Sequence, residues 1–151
     1  MNLEDRIHIH ELILSSGMAL DERRFEDYLA LYAEAGEYLV TAHVPETASL
    51  GTWMDLDKDN LRRLLESADR HTWNTGERLH QISAPVFTLE AGEVRTISVF
   101  SVFRIDEVGE SRLYAVGHYH DIWVRTDRWL LKRRVARLAS RHLTPPSAMP
   151  L

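Results

Sequence analysis

Between residues 20 and 40 a short amphipathic helical stretch runs straight into a strand-forming one. Phe25, Tyr28, Leu29 and Tyr32 recur at i, i+3, i+4 and i+7, the apolar stripe of one helix face. Asp21 stands where an N-cap side chain would accept a backbone N–H, and Gly36 where the helix would stop. Residues 38–44 then read as a strand. A helix joined so closely to a strand has to bury its apolar face against the sheet it feeds, which constrains the chain to packed helix-and-sheet layers.

The rest of the chain supplies that sheet. A first helix is expected over about residues 3–18 and a third from about residue 57, with Leu61, Leu64, Leu65 and Ala68 at helical spacing. The pattern then changes to period two over residues 81–89, 94–105, 112–124 and 129–139, with short polar links between them. Short links make neighbouring antiparallel strands, so the fold class is α+β. Strand 94–105 carries Ile97, Val99, Phe103 and Ile105 on one face and Val94, Phe100 and Val102 on the other. A sheet with helices on one side should be polar on the other, so these residues imply a further covering layer and an oligomer. Thr144-Pro145-Pro146 cannot continue a strand, and residues 144–151 are expected to form a proline-rich, extended tail.

With 151 residues, 44% hydrophobic and 27% charged, the composition is that of one soluble globular domain. No run reaches the ~18 apolar residues of a membrane span, and the charged start of the chain is unlike a signal peptide, so a cytoplasmic location is expected. Cysteine is absent, which excludes disulfides, thiolate catalysis, cysteine-ligated zinc and an iron–sulfur cluster carried by this chain alone. A net charge of -5 argues against nucleic acid as a partner. The basic run Lys132, Arg133, Arg134, Arg137 and Arg141 reads as a solvated or intersubunit ion-pairing face.

Five segments stand in order along the chain: the Leu20-Asp21 run through Tyr32 to Gly36-Glu37-Tyr38, then Arg78-Leu79-His80-Gln81-Ile82-Ser83, the strand from Ser98 to Arg104, Gly117-His118-Tyr119-His120-Asp121, and the final Trp129-Leu130-Leu131-Lys132-Arg133-Arg134-Val135. Together they resemble the small β subunit of Rieske-type aromatic-ring-hydroxylating dioxygenases, within the nuclear transport factor 2-like, SnoaL-like superfamily. The resemblance implies a cystatin-like cone, a curved antiparallel β-sheet wrapped around N-terminal helices, as a single domain over residues 1–143. It implies no cofactor in this chain. The Rieske [2Fe–2S] cluster and mononuclear Fe(II) would lie in an oxygenase α subunit, reached by electrons from a ferredoxin or reductase. The β chains would trimerise and hold the α subunits in an α3β3 assembly acting on an aromatic substrate, an aromatic acid by the compactness of this chain. Asp21, Asp121, Arg133 and Arg134 are then candidates for polar interface contacts.

The same cone hosts free-standing enzymes, and Asp21, His80, His118 and His120 resemble in type the acid–base residues of scytalone dehydratase-like proteins. His118 and His120 lie two apart on a strand, on one face with Val116, Ile122 and Val124, which is expected to be the cone interior. Histidines there could exchange protons near neutral pH. Structural alternatives are a helix cap for Asp21, a hydrogen-bonded strand-end residue for His80 and satisfied core groups for the pair. As metal ligands, His118 and His120 lack an identifiable third partner, and His8 and His10 do not face each other on a helix. Trp53, Trp73, Tyr38 and Phe87 could line an aromatic pocket or simply fill the core.

Overall fold

Helix α1 (Leu3–Asp21) opens on a reciprocal capping box. The Asp5 N–H donates to Asn2 Oδ1 at 2.8 Å, and the Asn2 N–H donates to Asp5 Oδ2 at 3.1 Å. The same carboxylate accepts from Trp129 Nε1 at 3.0 Å and pairs with Arg125, tying the start of the helix to the end of the sheet. Ile9, Ile13, Ser16, Gly17 and Leu20 are buried along one face. At Gly17 an added Cβ would stand 2.9 Å from both His80 Cβ and Ile82 Cδ1, so glycine lets the helix approach the sheet closely.

Arg23 adopts a left-handed φ of 56° and separates α1 from the short helix α2 (Phe25–Ala30). The chain enters strand β1 (Tyr32–Val44) at once. The expected helix reaching Gly36 is therefore much shorter, and Gly36 lies inside β1. Tertiary pairing overrides the helical pattern: the Leu131 N–H donates to the Leu31 carbonyl at 2.7 Å, capturing the segment on the last strand. The apolar spacing still identified a packed group. Tyr28 and Tyr32 meet edge to face with centroids 5.5 Å apart and hydroxyls 2.9 Å apart.

Strand β2 (Ser49–Asp57), which the sequence pattern had not separated, returns along β1, and Asp57 Oδ1 accepts the Asn60 N–H at 2.8 Å to cap α3 (Lys58–Ala68). The expected strand over residues 81–89 is two strands, β3 (Glu77–Ile82) and β4 (Val86–Glu90), broken at Ser83-Ala84-Pro85. Both pair with β5 (Glu93–Ile105), which continues into β6 (Ser111–Arg125) and β7 (Trp129–Leu138). The seven-stranded sheet has the order β2-β1-β7-β6-β5-β3, with β4 beside β3 on the β5 edge. Every neighbouring pair is antiparallel except β1 with β7, which runs parallel.

The computed structural model describes residues 1–68, 76–141, 143 and 149–151. The curved, open sheet holds the helices on its concave side, and Ile9, Ile13, Tyr28, Leu61, Leu65, Phe100, Tyr119 and Trp123 belong to one buried core. No described helix is long and apolar enough to cross a membrane. Residues 144–148 of the expected tail lie outside the described residues, and the last described residues pack on the cone. The Leu151 N–H donates to the Tyr38 hydroxyl at 2.8 Å, and Pro150 and Leu151 are buried.

Gly117 lies on the concave side between β5 and β7. An added Cβ would collide with the Arg137 carbonyl oxygen and stand 3.0 Å from Phe100 Cε1. Overpacking of this kind costs about 1–3 kcal/mol. Gly117→Ala is therefore expected to lower the melting temperature by about 2–12 °C, measured by thermal unfolding.

Candidate functional site

Strand alternation decides which side chains enter the cone. On β6 the inward residues are Ala115, Gly117, Tyr119, Asp121 and Trp123, all buried. His118 is exposed and His120 half-buried on the outer face, with ring centroids 6.4 Å apart. The expected assignment of the two faces is thus reversed. The polar Asp121 belongs inside because β7 supplies its counter-ion, and the aliphatic residues beside the histidines lie on the convex face.

Asp21 and His80 do come together. Asp21 is the last residue of α1 and does not cap the next helix; its carboxylate points across to β3. Asp21 Oδ2 accepts the His80 backbone N–H at 2.7 Å, and Asp21 Oδ1 lies 2.5 Å from His80 Nδ1. This contact holds the neutral imidazole as the Nδ1–H tautomer, leaving Nε2 as an acceptor. Among the described residues the buried Nε2 has no hydrogen-bond partner. Burial lowers the His80 pKa, against the raising effect of Asp21, and the Arg78 and Arg134 charges add to the lowering. A neutral imidazole oriented by a carboxylate is the arrangement of a general base.

The lowered His80 pKa has a consequence for stability. Below about pH 6.5 the unfolded chain takes up a proton at His80 that the folded protein resists, so folding stability falls as the pH drops toward the folded pKa. Wild type is expected to lose stability between pH 7 and pH 5 with an additional slope of up to about 1.4 kcal/mol per pH unit. Denaturant titrations at several pH values should find that slope reduced in His80→Gln.

A second polar group crosses the core. Arg134 Nε and Nη2 donate to Asp121 Oδ1 and Oδ2 at 2.9 and 2.8 Å, and Nη1 donates to Ser16 Oγ at 2.8 Å. The guanidinium also stands 4.2 Å from the Tyr119 ring centroid. Both ion-pair side chains are 0% exposed. Burial opposes the charge of Arg134, but the adjacent Asp121 carboxylate prevails and raises its pKa. Asp21, Asp121 and Arg134 are therefore interior ties, contrary to their expected interface role. Arg133 alone of that set faces outward, 3.4 Å from Glu37.

The basic run is divided by the same alternation: Lys132 pairs with Glu93 at 2.5 Å on the outside while Arg134 enters the core. The aromatic residues do not form one pocket. Trp53 is exposed on β2, Tyr38 is buried on β1, and Phe87 lies under Arg6 at the opposite end of the sheet. Trp73 lies outside the described residues. Among the described residues no cluster of three His, Asp or Glu side chains is placed to hold a metal ion. His8 is exposed and His10 half-buried.

The curved, open sheet enclosing helices has the cystatin-like fold of nuclear transport factor 2-like proteins. The chain belongs to the SnoaL-like domain family, whose pattern matches residues 1–135. It is 29% identical over 143 residues to the β subunit of 2-aminobenzenesulfonate 2,3-dioxygenase from an Alcaligenes species, covering 92% of this chain and 94% of that one. It is 26% identical over 156 residues to the hydroxylase β subunit of methanesulfonate monooxygenase from Methylosulfonomonas methylovora, covering 95% and 85%. The crystal structure of a β subunit ascribed to an aromatic-ring-hydroxylating dioxygenase of Novosphingobium aromaticivorans superposes with a TM-score of 0.84 at 23% identity, over 97% of this chain and 96% of that one.

Proposed function

We propose that this chain is the β subunit of a multi-subunit ring-hydroxylating oxygenase, with an architectural role. The observation that carries the reading is the correspondence, over more than nine-tenths of this chain, with two oxygenase β subunits. The convex face supports it. Leu79 and Leu113, 54% and 58% exposed, flank Phe103 across three strands, while Ile97 and Val99 are 43% and 45% exposed nearby. Apolar rows of this kind suit burial by other subunits. In this reading β chains trimerise, α subunits complete an α3β3 complex in the cytoplasm, and a ferredoxin or reductase delivers electrons to α.

The Rieske cluster and the mononuclear iron belong to the α subunit in this proposal. This chain does not fit a Rieske centre, which needs two cysteine ligands where the sequence has none. Its own part is to hold the α subunits in register for oxygenation of an aromatic acid. Arenesulfonates fall within that class, as the 2-aminobenzenesulfonate of one relative's name does; the methanesulfonate of the other is aliphatic and shares with it the sulfonate alone.

Purification of the tagged chain from its own cells, with native mass and iron analysis, tests the reading. A complex of equal numbers of this chain and a larger iron-containing chain is the expected result; a metal-free homo-oligomer overturns it. The unpartnered His80 Nε2 favours a second reading, an acid–base enzyme of the dehydratase or isomerase kind using Asp21 and His80. His118 and His120 drop out of that site because they face outward. If the architectural reading holds, His80→Gln leaves turnover of the assembled oxygenase largely unchanged, whereas loss of a general base costs about 10²–10⁴-fold.

A further inference from the structure

We propose that Arg78 and Arg104 form an internal oxyanion-binding site for the carboxylate or sulfonate of a small organic acid, bordered by the returning Pro150–Leu151 segment. The two arginines are direct cross-strand partners on β3 and β5. They continue the inward rows that contain His80 and Ile82 on one strand and Phe100 and Val102 on the other. Like charges placed opposite each other repel, and a bound anion would remove that repulsion.

The hydrogen-bond inventory points to the same ligand. Arg78 is buried and donates from Nη2 to the Pro150 carbonyl oxygen at 2.9 Å. Its Nε is buried without a partner among the described residues, as are Nε and Nη1 of Arg104. Buried guanidinium N–H groups without acceptors are costly, and their fork geometry matches the oxygens of a carboxylate or sulfonate. Among the described residues neither arginine has a carboxylate within ion-pair distance. Arg104 lies 3.9 Å from the Tyr114 ring centroid, which fixes its guanidinium plane. Arg104 is half-buried and Arg78 buried, so Arg104 is the more solvent-accessible of the two. The Pro150 carbonyl supplies the partial negative charge that the site holds in this structure.

The site uses only residues of this chain and does not depend on the oxygenase reading. It can be tested on the full-length protein by thermal shift and calorimetric titration with benzenesulfonate and benzoate, and with benzenesulfonamide as the neutral comparison, at constant ionic strength. Each anion is expected to bind saturably and, at about 100 times its dissociation constant, to raise the melting temperature by about 5 °C. Arg104→Met, which keeps the packing on Tyr114, should melt no lower than wild type without ligand and lose at least tenfold in anion affinity. Binding of one anion only would restrict the ligand class to that acid. Absence of saturable anion binding to wild type, an equal response to benzenesulfonamide, or unchanged affinity in Arg104→Met would each overturn the proposal.

Discussion

Arg134→Ala is expected to destabilise the fold more than any other single substitution considered, by about 3–5 kcal/mol, because it leaves the Asp121 carboxylate buried without its partner. Three hydrogen bonds go with the guanidinium, including the one that ties Ser16 of α1 to β7. For a chain of this length the loss corresponds to a fall of about 6–20 °C in melting temperature, and the variant should be recovered poorly from cells. Asp121→Ala should behave similarly from the other side, since it strands a cation. Removing both charges tests the cause. Arg134→Met combined with Asp121→Leu replaces the pair by apolar groups and is expected to recover much of the loss. A double-mutant cycle by chemical denaturation measures the coupling, and additive losses would mean that the two side chains do not stabilise each other.

That ion pair also marks where sequence reasoning stops. The Gly117-to-Asp121 and Trp129-to-Val135 patterns were legible as two strands of a hairpin, and Asp121 and Arg134 stood out as polar residues within them. Their pairing was not. The turn sets Arg125 opposite Trp129 and Trp123 opposite Leu131, and an uninterrupted register would then place Asp121 opposite Arg133. A bulge beyond Trp123 shifts the register by one, so that Asp121 faces Arg134 and Arg133 turns outward. No local residue pattern announces the bulge. The same limit reversed the faces of β6: aliphatic residues beside His118 and His120 looked like core because the partner of Asp121 was hidden. The presence of three helices, the α+β class and the apolar character of both faces of β5 depend on short-range periodicity and were readable, whereas β2 and the division of β3 from β4 were not read. The Asp21–His80 contact joins residues 59 positions apart and depends on the close approach at Gly17, which a linear pattern does not encode. Ser83-Ala84-Pro85 did carry a visible signal for the break between β3 and β4, since proline cannot donate to a ladder.

Replacing Ile97 and Val99 together by glutamate is expected to abolish assembly while leaving the fold intact. Both lie on the convex face of β5 and are nearly half exposed, so charges there remain solvated in an isolated chain. In an assembled oxygenase the same two positions would be buried among apolar residues of another subunit. Ile97 continues across the sheet into Val86, His120 and Val135, and Val99 lies opposite His118. Burying two unpaired carboxylates in such a contact costs several kcal/mol, enough to reduce association by at least about a thousandfold. Sedimentation should then find the variant as a 17.5 kDa monomer that no longer retains an iron-containing partner. Its melting temperature in isolation should stay within about 2 °C of the isolated wild-type chain, as for surface substitutions generally. An unchanged native mass would place the assembly contacts elsewhere and leave the convex apolar rows without the role assigned to them. A monomer that has also lost its cooperative unfolding would instead mean that β5 needs these side chains for its own pairing, which their exposure argues against.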